Sequence, residues 1–152
     1  MNLQPVSSGS APLLAAIHKA AFISHVDWDE DFFQKLLVLP TTRGLTAAEA
    51  DEPLGFILWQ QTAESGEIIT VAVLPKVQRR GIGKQLLSAY EVQLQQQQIA
   101  CSLLDVAADN DAAIALYQQA GYQQIHLRPR YYQLYEGGME RRVDALVLQK
   151  LF

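Results

Sequence analysis

The sequence predicts an α/β domain, a mixed sheet with helices on both faces in the order βααβββαβαββ. Three observations carry that expectation. Four stretches repeat apolar residues at helical spacing, with strand-like runs between them. Short polar links in the middle third imply antiparallel hairpins. An apolar run, Ile68 to Leu74, passes through a turn holding Gly81 and Gly83 into an amphipathic run, which is the strand–turn–helix order of an α/β unit.

In chain order, residues 2–6 form a short first strand. Ser10 is placed to cap a helix from Ala11 to about Phe22, with Leu13, Leu14, Ile17 and Ala21 facing inward. The apolar run that opens this helix is too short for a signal peptide, and no Lys or Arg precedes it. The stretch DWDEDFFQKLL starts a second helix, capped by Asp27 or Asp29, with Glu30 and Asp31 favourable in its first turn and Pro40 closing it. Its acidic cluster reads either as solvated helix-start charge or as a dock for a basic substrate.

Strands follow at residues 44–48, 54–62 and 67–73, with turns at Asp51-Glu52-Pro53 and Glu64-Ser65-Gly66. A long helix then runs from about Gly83 to Gln98, with Ile82, Leu86, Leu87, Tyr90 and Leu94 on one face. Residues 100–106 read as a buried strand. Asn110 caps a helix over residues 111–120, and Gly121 stands at its C′ position. Strands at 122–135 and 141–151 finish the chain, joined at Glu136-Gly137-Gly138.

A length of 152 residues fits one domain spanning 1–152, and 49% hydrophobic residues suffice for an ordinary core. The net charge of −4 argues against nucleic acid as a partner, and leaves any anionic ligand to be drawn by local charge. Cys101, the lone cysteine, allows no internal disulfide, fits a reducing compartment, and reads as a small buried hydrophobe. His18, His25 and His126 lack metal-ligand spacing, and no stretch has the length of a membrane span. A soluble, cytoplasmic protein is expected, monomeric or weakly dimeric, with no metal and no membrane partner.

The turn from Gln78 to Lys84 concentrates the chemistry. A strand, a glycine turn and a helix start leave backbone N–H groups free at the positive end of a helix dipole, a site for phosphate. Arg79, Arg80 and Lys84 add positive charge around it. The P-loop pattern fails, because Gln78 and Gln85 replace its first glycine and its hydroxyl residue. The dinucleotide fingerprint fails at Leu86. A solvated basic helix start is the other reading of this turn.

Gln-x-x-Gly-x-Gly after an apolar strand resembles the acyl-coenzyme A pyrophosphate signature of the GNAT N-acetyltransferases. A second block, Asn110, Ala113, Tyr117, Gly121 and Tyr122, resembles that superfamily's Asn-x-x-Ala-x-x-x-Tyr-x-x-x-Gly-Phe/Tyr motif. Within the superfamily the likeness is to the bacterial RimI-type enzymes, which acetylate the N-terminal α-amine of a small-subunit ribosomal protein. Trp28, the run IITVAVLP before QRRGIG, AAIALY, Arg128 with Tyr131-Tyr132, and Asp144-Ala145 carry it.

The resemblance implies the GNAT fold and acetyl-coenzyme A in a cleft where strands 67–73 and 100–106 splay apart. The pyrophosphate then rests on the N–H groups of Arg79, Arg80, Gly81, Ile82, Gly83 and Lys84, in the loop begun by Gln78. The pantetheine arm runs beside Val71 and Val73 and reaches Asn110, which is also read as a simple helix cap. A backbone N–H near Val73 stabilises the oxyanion. Tyr117 is the general acid for the departing thiolate, or else a core tyrosine. Asp105 stands where the family carries Glu; one methylene shorter, it points to a water relay or to another base, with Glu67 the other candidate. Trp28, Tyr131 and Tyr132 line the acceptor site, although the tyrosine pair is equally read as strand packing. The expected activity is transfer to a primary amine, above all a protein N-terminus. A small-amine acetyltransferase and a non-catalytic acyl-coenzyme A-binding module are the alternatives.

Overall fold

The structure, a computed structural model, describes residues 1–22 and 28–152. Asp27, one of the two expected caps, and His25 lie outside the described residues. The strands are β1 (Asn2–Pro5), β2 (Thr42–Glu49), β3 (Glu52–Gln61), β4 (Gly66–Val73), β5 (Cys101–Ala107), β6 (Gln123–Glu136) and β7 (Met139–Leu151). The helices are α1 (Ala11–Ala21), α2 (Glu30–Leu37), α3 (Ile82–Gln96) and α4 (Asp111–Gln119). The element order is the expected one.

One seven-stranded sheet, ordered β1-β2-β3-β4-β5-β7-β6, holds the molecule together. Every neighbouring pair is antiparallel except β4 and β5, which the α3 crossover makes parallel. Strand β3 lies mid-sheet and is buried from Leu54 to Trp59, a continuous apolar run of the kind that is covered on both faces. On one face Trp59 packs with Leu86, Leu87, Tyr90 and Leu94 of α3. On the other, Phe56 and Leu58 meet Leu14 and Ile17 of α1 and Phe33 of α2. Burying one such side chain contributes about 1.5–3 kcal/mol.

Several local expectations are corrected. Ser10 makes no side-chain cap; its hydroxyl accepts the Ser7 N–H at 3.0 Å within a 3-10 turn that leads into α1. Leu13 is exposed, and the inward positions of α1 are Ala11, Leu14, Ile17 and His18. The β2–β3 turn is Ala50-Asp51, with φ of 51° and 67°, closed by the pair Glu49↔Glu52. Two left-handed residues give a hairpin turn whose twist matches the strands, so Glu52 and Pro53 belong to β3. Cys101 is half-buried, because the alternate positions Ser102, Leu104 and Val106 are the ones that face the core. The expected cap of α2 is met by Asp29, whose carboxylate accepts the Phe32 N–H at 2.9 Å.

Candidate active site

Strands β4 and β5 pair only at Gly66↔Ser102, Glu67↔Leu103 and Ile68↔Leu104. Beyond Ile68 a bulge interrupts the β3–β4 register, which passes from Trp59↔Ile68 to Leu58↔Thr70 and leaves Ile69 extra. A bulge bends its strand, and here the bend coincides with the end of parallel pairing. The strands part, and a cleft of about 750 Å³ opens between them, lined on β4 by Val71 and Val73 and on β5 by Asp105 and Val106.

The turn before α3 closes one end. Gly81 is the N-cap at φ 79°, Arg79 is also left-handed at φ 66°, and the first intrahelical bond runs from Gln85 N–H to the Gly81 carbonyl. The N–H groups of Ile82, Gly83 and Lys84 therefore have no partner inside the helix. A Cβ built on Gly83 would meet only Leu116 at 3.6 Å and Val73 at 3.8 Å, ordinary contacts that packing tolerates. Gly83 lines the cleft, so its missing side chain leaves room for a ligand rather than for a protein neighbour. Gln78, Arg79, Gly81, Ile82 and Lys84 line the same end. Among the described residues Arg79 and Lys84 form no ion pair. First-turn N–H groups, two cations and that opening fit a diphosphate.

Arg80 is placed elsewhere. Its guanidinium lies 3.4 Å from Glu49 on the β2–β3 hairpin and is absent from the cleft wall. The Gln78 side chain donates to the Val73 carbonyl at 3.1 Å, tying the turn to the end of β4.

Helix α4 forms the opposite wall. The Asn110 side-chain oxygen Oδ1 accepts the Ala113 N–H at 3.2 Å, so the capping role is present, and Asn110 also lines the cleft. At the other end Tyr122 N–H donates to the Tyr117 carbonyl and Gly121 N–H to that of Gln118, both at 3.0 Å, with Gly121 at φ 98°. That is a Schellman motif, whose usual apolar contact is the Tyr117–Tyr122 ring pair at 5.7 Å. The Tyr122 hydroxyl joins a buried chain, 2.7 Å from Ser102 Oγ, which is 2.6 Å from the Tyr90 hydroxyl. Tyr117 is thus fixed from below by its own helix terminus. It is 5% exposed and borders the cleft, and burial pushes its phenol well above the ordinary range, with Tyr132 and Tyr90 adding to the effect. It keeps its proton at neutral pH.

The carboxylates separate. Asp105 lines the cleft and lies 3.6 Å from the Arg128 guanidinium of β6. Glu67 is exposed, sits where β4 and β5 are still paired, and is absent from the lining, so the structure does not bring it to Tyr117. Tyr132 and Trp28 line the cleft, whereas Tyr131 is 52% exposed outside it and packs edge-on against Tyr132 at 5.1 Å.

His18 is a cleft residue that sequence reasoning missed. It is 4% exposed and stacks on Trp28 at 4.6 Å. Its signal was available, since positions 11, 14 and 18 share one face of α1. The acidic start of α2 is largely committed: Asp29 caps the helix and Asp31 pairs with Lys35 at 3.0 Å. Among the described residues no group of acidic, His or Cys side chains has metal-binding geometry, and no helix is long and apolar enough to cross a membrane.

The model of the Acetyltransferase (GNAT) family matches residues 12–122. The chain is 30% identical over 142 residues to the N-alpha-acetyltransferase RimI of Mycobacterium tuberculosis, 88% of either protein. It is 33% identical to the [ribosomal protein bS18]-alanine N-acetyltransferase of Escherichia coli K12 over 93 residues, which span 61% of this chain and only 60% of that relative. The crystal structure of the ribosomal-protein-S18-alanine N-acetyltransferase from Escherichia coli superposes with a TM-score of 0.86 at 24% identity, covering 99% of this chain and 92% of the other. With the splayed strands, the helix-start turn and the Asn110–Tyr122 block in place, the chain belongs to the GNAT acetyltransferase family, whose members use acetyl-CoA.

Proposed function

We propose that the protein is an acetyl-CoA-dependent N-acetyltransferase whose preferred acceptor is the N-terminal α-amine of a protein, with a ribosomal protein the first candidate. The observation that carries the reading is the cleft between β4 and β5, with a helix start at one end and a buried, protonated Tyr117 in its wall. The N–H groups of Ile82, Gly83 and Lys84, with Arg79, hold the diphosphate. The β4 backbone beyond Ile68, near Val71 and Val73, lies along the edge that β5 leaves unpaired. Its N–H groups suit both an extended pantetheine arm and developing negative charge. Asn110 adds a side-chain contact while it caps α4.

Bound there, acetyl-CoA supplies an acetyl group already activated as a thioester. Tyr117 carries the proton that a departing thiolate needs, and burial keeps that proton on the phenol until it is used. Asp105, held by Arg128, takes or relays the proton of the acceptor amine. A free α-amine has a pKa near 7.7–8.0, so roughly 10–15% is neutral at pH 7, against about 0.04% of a lysine side chain. Among the described residues Asp105 is the one carboxylate lining the cleft and it is already engaged by Arg128, which favours the amine that needs least deprotonation. Trp28 and Tyr132 bound the acceptor end of the cleft.

The test is one peptide carrying both a free N-terminus and an internal lysine, with the acetyl group located by mass spectrometry. Acetylation at the N-terminus is expected. Modification mainly of the lysine overturns the acceptor assignment, and transfer to spermidine but to no peptide replaces it with a small-amine activity.

A further inference from the structure

Strand β6 departs from regular pairing beside the cleft. Arg128 pairs with Ala145 and Tyr132 with Val143, so Pro129, Arg130 and Tyr131 together stand opposite the single residue Asp144. Pro129 has no N–H to give the ladder, which favours a bulge at this point. Arg130 is left-handed, with φ 51°, an unfavourable conformation for a residue with a side chain. The Asp144 carboxylate meets the displaced backbone, with Oδ1 accepting the Arg130 N–H at 2.8 Å. The Asp144 carbonyl accepts the Ala108 N–H, also at 2.8 Å, which anchors Asp144 to the end of β5.

The residues flanking the bulge point to its purpose. On one side Arg128 reaches Asp105 and lies over the Tyr131 ring at 5.6 Å. On the other, Tyr132 enters the cleft wall. A regular strand would shift the residues on one side of the bulge along the ladder relative to those on the other.

We propose that Asp144 is a positioning residue for the acceptor side of the cleft: by accepting the Arg130 N–H it holds the three-residue bulge that sets Arg128 against Asp105 and Tyr132 into the wall. The proposal rests on the acetyltransferase reading above. Asp144 touches neither cofactor nor acceptor in this role and acts through Arg128 and Tyr132. Its effect therefore falls on the acceptor side, on binding through Tyr132 and on proton removal through Arg128 and Asp105, and not on the diphosphate end.

The experiment compares wild type, Asp144→Ala and Asp144→Asn. It measures kcat and KM for an N-terminal peptide, the coenzyme A dissociation constant by calorimetry, and exchange of the Arg130 amide by NMR. Asp144→Ala should raise the peptide KM about five- to tenfold, as loss of one hydrogen bond implies, speed exchange at Arg130, and leave coenzyme A binding unchanged. Asp144→Asn keeps an accepting oxygen and should restore the KM and the Arg130 protection. An unchanged KM in Asp144→Ala overturns the proposal. So does parallel loss of coenzyme A affinity, or an Asn variant as impaired as the Ala variant. A wild-type protein that acetylates no amine overturns the activity itself, a result distinct from all three.

Discussion

Tyr117 shows what one residue gains from its place in a helix terminus. Its carbonyl closes the Schellman motif and its ring meets Tyr122, so the phenol is held at the cleft by contacts that do not involve the hydroxyl. Tyr117→Phe should therefore fold normally, bind coenzyme A with unchanged affinity, and lose about 10²–10⁴-fold in kcat; steady-state kinetics and calorimetry on the same sample check both halves. At the helix-start turn proposed for the diphosphate, Gly83→Val is the cleaner probe, because the glycine is neither left-handed nor tightly packed. It should abolish the thermal shift with coenzyme A while retaining the fold, whereas substitution of Gly81 also strains the backbone at φ 79°. Arg79→Ala should weaken coenzyme A binding by about 0.3–3 kcal/mol. Arg80→Ala should do less, because Glu49 already holds Arg80. The spacing from Tyr117 to Tyr122 was legible in the sequence because a Schellman motif is local. The pairing of Arg80 with Glu49 and of Asp105 with Arg128 was not, since each joins residues that only the sheet brings together.

Among the elements, α4 is held by polar contacts at both of its ends. Ser102, fully buried on β5, bridges the hydroxyls of Tyr90 and Tyr122, and so links α3 and the end of α4 to mid-sheet. Ser102→Ala leaves two buried phenols without that partner and should destabilise the protein by about 1–3 kcal/mol, read as a lower urea midpoint at constant slope. Helices and strands were largely legible because burial follows period: α3 buries Ile82, Leu86, Leu87, Tyr90 and Leu94, the face that the spacing marks. The β2–β3 turn was misread because Ala50 adopts a left-handed conformation that its side chain does not advertise. His18 was set aside for lack of metal spacing, although its helical register places it inward beside Trp28.

For the whole molecule, the burial of tyrosine rings makes stability fall at alkaline pH. Tyr90, Tyr117, Tyr122 and Tyr132 all have phenols raised above the ordinary value, chiefly by burial. The folded state then binds more protons than the unfolded chain once pH exceeds the unfolded tyrosine value, about 10. Stability is fully present below that pH and falls as pH rises further. Urea midpoints should be flat with respect to these groups up to about pH 10 and decline beyond it. A midpoint still constant well above that pH would mean that the rings are not buried as described.

The short run of parallel pairing has a mechanical consequence. Strands β1 to β4 form one antiparallel plate and β5 to β7 another, and only three register pairs stitch them along a seam. Such a seam is the line of fewest main-chain bonds in the sheet, and the α3 core that spans it carries the rest of the union. A molecule lying along the open edges bolts the two plates together. Its stabilisation should then appear as slowed amide exchange in β4 and β5 at once, at positions far from the helix-start turn as well as near it. Protection confined to the start of α3 would mean that the plates already move as one body.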